Sequence, residues 1–431
     1  MGMMAAIDNA FAFAKAGHPL HAYVERARSL MNEEPCSGAI RRMAPDGEAL
    51  AVRILLKCHG SPEEGDYFKS VSLSFQSLAE GRPVADQALT VFYRADRDRL
   101  EMHEFPQDPY LPTMSGYFEH LFGNNDSPKV KDLTVLRYVP RRRLTYRIAD
   151  PGEPGKFRIG KFVRREQLNE TYDKLSRVSA AANQQQSLFS VAAPLGVDDE
   201  QGVFFQTHLD GQNLAHCIDE ENFEKSFFAI GAIHHEIHQL DVPGVPQGGF
   251  ESILKDLNKR VKLISYLRPD TAAFLGSVRA VLAEDQPTID RRNYTFCHGD
   301  FGCHQVLRQR ERWAVIDFDG CRYGDRYREI ARVLAYMKHN IPFLLHAFRD
   351  PARSAEGLLN RARTAYLRGY QDHSKEGLNW KRLLWYRIVL EVHYLSRTLQ
   401  RGLYHPVAFE RTIRLIQDLT DRFKSDTGGD V

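Results

Sequence analysis

Two aspartates in one short stretch, "YTFCHGDFGCHQVLRQRERWAVIDFDG" at 294–320, are the residues best placed to do chemistry. Asp300 follows an apolar run that ends in His298 and Gly299. Asp317 ends the apolar run "WAVI", and Asp319 comes two residues later. A strand usually ends in a turn residue rather than in acids and an amide. Folded as a hairpin about its charged turn, the stretch sets Asp300 near Asp317 and brings Gln305 alongside. That set of groups fits metal-assisted phosphoryl transfer. One carboxylate orients an acceptor hydroxyl, while hard oxygen donors hold Mg2+ against the phosphates. Turn-capping alone would explain either aspartate singly. The joint spacing of His298, Asp300, Gln305 and Asp317 favours chemistry. Zinc held by Cys297, His298, Cys303 and His304 is disfavoured, because i and i+6 pairs on one loop do not follow zinc-finger spacing. The "HHEIH" run at 234–238 lacks the metalloprotease order and reads as amphipathic helix packing.

The elements that must hold these residues follow from apolar periodicity. Residues 19–32 read as a helix. Strand-like runs follow at 49–58, 70–75, 87–95 and 99–105, then the Pro-punctuated connector "PQDPYLPTM", and the stretch "HLFGNNDSPKVKD" marks the end of a first α+β unit near residue 128. A second pattern starts at Leu133. The strands "LTVLRYVP", "RRLTYRIAD" and "KFRIGKFV" precede the helix "REQLNETYDKLSRVSAAANQQ" and a further strand "GVFFQTHLDG". From Leu214 the pattern is mostly helical, as at 227–240 and 380–402, with 294–318 as the β exception. The division expected is 1–128 as an N-terminal extension, 129–212 as a nucleotide-binding lobe and 213–431 as a helical lobe.

"HGDFGCHQVL" followed by "AVIDFDGCRYGDRYREIA" resembles the aminoglycoside phosphotransferase and choline kinase superfamily. The resemblance covers about residues 133–402. It implies an α+β, bilobal protein-kinase-like fold, here with an extra N-terminal α+β domain. It also implies Asp300 as catalytic base, His298 as the histidine bracing the loop, Gln305 in place of the metal-binding Asn, and Asp317 as main Mg2+ ligand. Asp319 is the expected second metal contact, and Asp325 is implied to fix the downstream turn. Lys161 in "RIGKFVRR" is the expected phosphate-holding lysine, paired with Glu170 in preference to Glu166. Backbone near Gln206 and His208 is the expected adenine contact. No glycine-rich loop precedes Lys161. Arg141 and Arg143 stand there and are placed to grip phosphates instead. The implied cofactors are ATP, or GTP, and Mg2+.

Bulk properties set the remaining bounds. The chain has 431 residues, a net charge of +2, and hydrophobic and charged fractions of 43% and 26%, ordinary for a globular protein able to bury a large core. The near-zero charge gives no nucleic-acid footprint. No apolar run reaches the length of a membrane span, and the first residues do not read as a signal peptide. Six scattered cysteines without a C-x-x-C pair fit a reducing cytoplasm. The sequence therefore predicts a cytoplasmic small-molecule kinase, monomeric or homodimeric, with a hydroxyl acceptor such as a sugar, amino sugar or antibiotic. The alternatives are a kinase-like protein modifying a protein substrate and an inactive nucleotide-binding regulator. An excess of Arg and Lys in 349–431 tilts the acceptor toward a neutral or anionic compound, whereas the acidic run "IDEENFE" at 218–224 points the other way.

Overall fold

The computed structural model describes residues 142–344 except 289 and 311, residues 355–374, 377–400 and 406–425, strand segments 37–46, 49–59, 66–76, 99–104 and 133–139, and residues 111–114 and 117. The helix expected at 19–32, the strand expected at 87–95 and Arg141 lie outside these residues.

Strands β1 (Ser37–Asp46), β2 (Ala49–His59), β3 (Asp66–Gln76) and β4 (Arg99–Glu104) form an antiparallel sheet in chain order. Three of them match strand runs in the sequence. β1 was masked in the sequence by the pair Arg41–Arg42 and by Pro45, which interrupt its alternation. Its pairing with β2 shifts register between Ile40 and Arg42.

The second sheet carries the chemistry. β5 (Leu133–Val139), β6 (Arg143–Ala149) and β7 (Phe157–Val163) run as a meander. Helix α1 (Leu168–Gln184) follows, then β8 (Phe189–Ser190), which joins another sheet, and β9 (Pro194–Asp198) and β10 (Val203–Thr207). The strand order is β5-β6-β7-β10-β9, all antiparallel. Period-two alternation gives this sheet two distinct faces. Register pairs Leu144 with Phe162 and Phe162 with Val203. Those residues and Tyr146 bury one face against Leu111, Met114 and Tyr117. Tyr146 donates its hydroxyl hydrogen bond to Tyr117 Oη at 2.9 Å. On the opposite parity, Arg143 pairs with Val163, Thr145 with Lys161, and Lys161 with Phe204. That face turns toward α1 and the rest of the chain, so Lys161 is presented inward.

The remaining described chain is helical around two small sheets. β11 (Gln212–Asn213) and α2 (Leu214–Cys217) lead into α3 (Phe223–Gln239), α4 (Glu251–Leu267) and α5 (Ala272–Glu284). β12 (Thr295–Cys297), β13 (Val306–Arg308), β14 (Trp313–Val315) and β15 (Arg322–Gly324) come next. Helices α6 (Arg326–Leu344), α7 (Ala355–Gln371), α8 (Trp380–Gln400) and α9 (Pro406–Ser425) complete it. α3 and α7 cross at near backbone contact. A Cβ on Gly231 would lie 2.1 Å from Tyr366 O, and one on Gly369 would lie 2.0 Å from Phe228 O. The histidines of α3 are thereby pressed against Tyr366 and Tyr370.

The hairpin expected over 294–318 is corrected. β13 pairs with β14, but β12 pairs with β15 across a separate two-stranded ladder. Asp300 and Asp317 therefore leave different ladders, and their loops are joined by contact rather than by one shared turn. Among the described residues, no helix is long and apolar enough to cross a membrane.

Candidate active site

Lys161 is 6% exposed and lies on the inward face of the five-stranded sheet. Its Nζ donates to Asp319 Oδ1 at 2.9 Å and to Asp317 Oδ1 at 3.4 Å. Arg143, one strand over, donates from Nη1 to Asp319 Oδ2 at 2.8 Å and to Asp317 Oδ1 at 3.1 Å, and from Nη2 to Asp317 Oδ2 at 3.3 Å. Arg137 on β5 stands 3.8 Å from Asp317 Oδ2. Burial alone would lower the Lys161 pKa, but Asp319 and Asp317 override it and hold the ammonium charged. A recess above this cluster is lined by Lys161, Thr171, Gln206, Asp317 and Asp319, with apolar walls from Leu175 and Val191.

Asp317 takes φ 70° and ψ 49°, and Gln186 is its sole companion with positive φ among described non-glycine residues. Asp tolerates this left-handed conformation better than branched residues, at a cost on the order of 1 kcal/mol. The kink turns the carboxylate away from β14 and into the cluster. Burial pushes the Asp317 carboxyl up, but Lys161 and then Arg143 more than offset that and hold it well below the usual carboxylate range. Gln305 is 3% exposed, with its amide nitrogen 3.5 Å from Asp317 Oδ2. Its backbone is pinned by Ile316 N–H donating to Gln305 O at 2.9 Å. A flip of the amide, which exchanges two nearly isosteric ends, would aim Oε1 at the same place. Two carboxylates and one amide oxygen form a hard-donor set that fits Mg2+.

The loop bearing Asp300 is held from below. His298 is fully buried, its Nε2 lies 3.0 Å from Ile316 O, and its ring packs on Phe318 at 4.4 Å between centroids. His298 thus ties the Asp300 loop to the Asp317 loop. Gly299 has φ +91°, and a Cβ there would fall 2.2 Å from Gly320 O, so a glycine is required where the loops touch. Beneath both lies Glu329, 4% exposed. It accepts hydrogen bonds from the His298 N–H at 3.0 Å and from the Gly299 N–H, and meets His234 Nε2 at 3.2 Å and His238 Nε2 at 3.1 Å. The other ring nitrogens of these histidines each lie 2.7 Å from a tyrosine hydroxyl, Tyr366 for His234 and Tyr370 for His238. Burial would raise the Glu329 carboxyl, but the hydrogen bonds from His234 and His238 hold it well below its ordinary range. Burial, followed by His238, pushes His234 down to about 3. Asp300 itself is 45% exposed at its side chain and pairs through Oδ1 with Arg332 Nη2 at 2.8 Å. Arg332 also donates to Gly299 O. Asp325 accepts from the Tyr327 N–H at 3.1 Å, from Arg382 Nε at 2.6 Å and from Tyr386 Oη at 2.7 Å, fixing the turn into α6.

The structure therefore brings together Lys161, Arg143, Gln305, Asp317 and Asp319, with His298 bracing and Asp300 on the adjoining loop. Gln206 lines the recess and is buried. Glu170 is not brought to Lys161. It is 60% exposed at its side chain and pairs with Lys174 at 2.6 Å, one turn along α1. The helical phase is the reason: Leu168, Leu175, Val178 and Ala182 form the buried stripe, and Thr171, not Glu170, faces the recess. Glu166 is also exposed and sits beside Arg164. His208 turns from the recess to Asp210, 3.3 Å away. Glu329 as clamp and Arg332 as partner of Asp300 had no signal in the sequence beyond their places in "GDRYREIAR".

Residues 141–383 match the phosphotransferase enzyme family. The chain matches no curated protein at a significant level. Among solved structures it is similar to amicoumacin kinase hAmiN in complex with AMP-PNP, Ca2+ and Ami, at 16% identity and TM-score 0.47, covering 69% of this chain and 89% of that one. It is also similar to a choline/ethanolamine kinase family protein from Mesorhizobium loti, at 15% identity and TM-score 0.42 over 73% and 94%. A third likeness is to choline kinase LicA from Streptococcus pneumoniae, at 13% identity and TM-score 0.44 over 72% and 99%. Those likenesses are too distant to assign an acceptor. The family match spans more than half of the chain and takes in Arg143, Lys161, Asp300 and Asp317 alike, and the chain belongs to the phosphotransferase enzyme family.

Proposed function

We propose that this protein is an ATP- and Mg2+-dependent kinase that phosphorylates a hydroxyl of a small molecule. The observation that supports it most is the convergence of two cations and two carboxylates at the base of the recess, beside the loop of Asp300. Asp317, Asp319 and Gln305 would hold the metal ion, which when bound supplies charge neutralisation at the phosphate oxygens. Lys161 and Arg143 would exchange carboxylate oxygens for phosphate oxygens of comparable geometry. Thr171 and Gln206 would border the nucleotide, with backbone from Gln206 onward meeting the base. One oxygen of Asp300 is anchored by Arg332, leaving the other to accept a hydrogen bond from the acceptor hydroxyl and aim its oxygen at the γ-phosphorus. GTP is the second nucleotide candidate.

The test is a titration of ATP and GTP with and without Mg2+, followed by ADP or GDP release over a panel of hydroxyl compounds. Magnesium-dependent nucleotide binding and acceptor-stimulated release are expected. Nucleotide binding that ignores Mg2+, or release that no acceptor stimulates, would end the proposal.

A further inference from the structure

A second cleft, sharing no lining residue with the nucleotide recess, opens between the Asp300 loop, the start of α6, and helices α4 and α8. It is a small, partly open cleft. Gly299 forms part of its wall, so it adjoins Asp300. Three arginines line it: Arg322, Arg328 and Arg332. The nearby carboxylates are committed. Asp325 is bound by Arg382 and Tyr386, Glu329 by two histidines and two backbone N–H groups, and Asp300 by Arg332. Arg322 and Arg328 make no side-chain hydrogen bond or ion pair among the described residues. Burial, and then the charges of Arg322 and Arg332, hold the Arg328 guanidinium down to about 10. Arg328 also stands in the first turn of α6, where the helix dipole disfavours a cation. His393, at the α8 side, is 3.8 Å from Asp256 and is held low by burial, so it stays neutral and adds no further positive charge to the cleft.

A partly buried guanidinium with like charges around it and no carboxylate partner is costly. An anionic group entering the cleft removes that cost and gains charge-assisted, forked hydrogen bonds. A polycation gains none of this and meets repulsion. We infer that the cleft is the acceptor site and that the acceptor is an anionic hydroxyl compound, its carboxylate or phosphate gripped by Arg328 and Arg322. This rests on the phosphotransferase proposal for the reaction, though not for the anion site. In the step, the bond from the γ-phosphorus to ADP oxygen breaks, a new P–O bond forms to the acceptor oxygen, and the hydroxyl proton passes to Asp300. Arg332, fixed to Asp300, spans the distance between the anion end and the reacting end.

Two measurements test it. The first is calorimetric binding of inorganic phosphate with Mg·ADP present and absent, on wild type, Arg328→Gln, Arg322→Gln, Arg328→Lys and the exposed control Arg310→Gln. A phosphate site that persists with Mg·ADP is expected. Its affinity should fall at least about tenfold in both Gln variants, recover partly in Arg328→Lys, and stay unchanged in Arg310→Gln. Circular dichroism melts establish that each variant is folded. No such site, or wild-type affinity in folded Arg328→Gln and Arg322→Gln, overturns the inference. The second is ADP release with matched sets: glycerol, glycerate and glycerol 3-phosphate; glucose, gluconate and glucose 6-phosphate; glucosamine and kanamycin. Preference for glycerate and gluconate assigns a carboxylate, and preference for the phosphate esters assigns a phosphate. Fastest release with glucosamine or kanamycin overturns the inference. Should the kinase proposal itself fail, with no Mg2+-dependent nucleotide binding, the phosphate titration still decides whether the anion site exists.

Discussion

Glu329→Gln isolates the clamp beneath the Asp300 loop. In the native protein, Oε1 accepts from the Gly299 N–H, and Oε2 accepts from the His298 N–H and faces both histidine Nε2 atoms. An amide replaces one of these oxygens with NH2. With the amide oxygen at the Oε1 position, the NH2 meets the His298 N–H. In the other orientation it meets the Gly299 N–H. The histidines can change tautomer to suit an NH2, but a backbone N–H cannot, so one buried donor is orphaned in either case. An orphaned buried donor costs roughly 1–3 kcal/mol, and a hydrogen bond to a charged group is worth roughly 1.5–3 kcal/mol against about 1 for a neutral one. Together the loss is roughly 1.5–5 kcal/mol, its upper end comparable to breaking a buried pair. That corresponds to a melting temperature lower by roughly 10 °C for a domain of this size. Because the two N–H groups precede Asp300 directly, the base should also be misplaced, and kcat should fall by about 100-fold. Differential scanning calorimetry and steady-state ADP release measure the two effects. Glu329→Asp, which keeps the charge, should be much milder in both. A folded Glu329→Gln protein melting within about 2 °C of wild type, with kcat within about twofold, would refute the clamp.

Asp300→Asn should abolish transfer while leaving nucleotide affinity nearly intact, because the residue serves the acceptor; wild-type turnover would remove it from the base role. Asp317→Ala should eliminate Mg2+-dependent nucleotide binding, and unchanged Mg·ATP affinity by calorimetry would place the metal elsewhere. Gln305→Leu should lower kcat about tenfold or more, near 1.4 kcal/mol, whereas Gln305→Asn retains an oxygen donor and should stay active; equal rates for Leu and Gln would make the position structural. Stability should fall as the solution is acidified from about pH 6.5 toward 4. Burial holds His234 down to about 3 and His304 down to about 4. The unfolded chain therefore takes up protons in this window that the folded protein refuses, at roughly 1.4 kcal/mol per pH unit for each histidine. Urea midpoints at pH 7, 6 and 5 measure this, and a flat profile would contradict the buried neutral assignment.

How far the sequence carried the site depends on the distance between the residues concerned. The strands at 49–58, 99–105 and 157–163 and the long helices were legible because each rests on local alternation or helical period. Lys161 was named by the resemblance and the structure puts it at an inward position of such a strand, while Gln305, Asp317 and Asp319 share one stretch. The pairing of β12 with β15 rather than with β14 was not legible. Three short ladder candidates of similar apolar character compete, and the choice is made by the contact of Gly299 with Gly320 and by Glu329 from outside the segment. Glu170 lies away from Lys161 because of its phase on α1. Its neighbour Thr171 is four positions from Leu175, and that pair, not the acid, is what the helix turns to the recess. The clamp made by Glu329 and the pairing of Arg332 with Asp300 were illegible because both arise from convergence of α3, α6 and the Asp300 loop.

The absence of Glu170 from the Lys161 pair changes how the site must work. A lysine 6% exposed needs a negative partner, and α1 offers none toward the recess. Asp319 fills that place at 2.9 Å, closer than Asp317 at 3.4 Å, while Arg143 bridges both. The two buried cations and two carboxylates of this ring cancel, with Arg137 at its exposed edge, and Lys161 is held in position without a helix acid. In the proposed reaction, the phosphates bring negative charge to Lys161 and Arg143 at the same time as the metal brings positive charge to Asp317 and Asp319. Each buried charge then changes partner without being left alone, which avoids the several kcal/mol that an unpaired buried ion costs. Neither ligand alone offers that balance. Phosphates alone would leave the aspartates facing added negative charge, and the metal alone would leave Lys161 and Arg143 facing added positive charge. In the proposed reaction, binding of nucleotide and metal would therefore be coupled through the Lys161–Asp319–Arg143–Asp317 ring, and Asp319 would belong to that coupling as a holder of the lysine as much as a ligand of the metal.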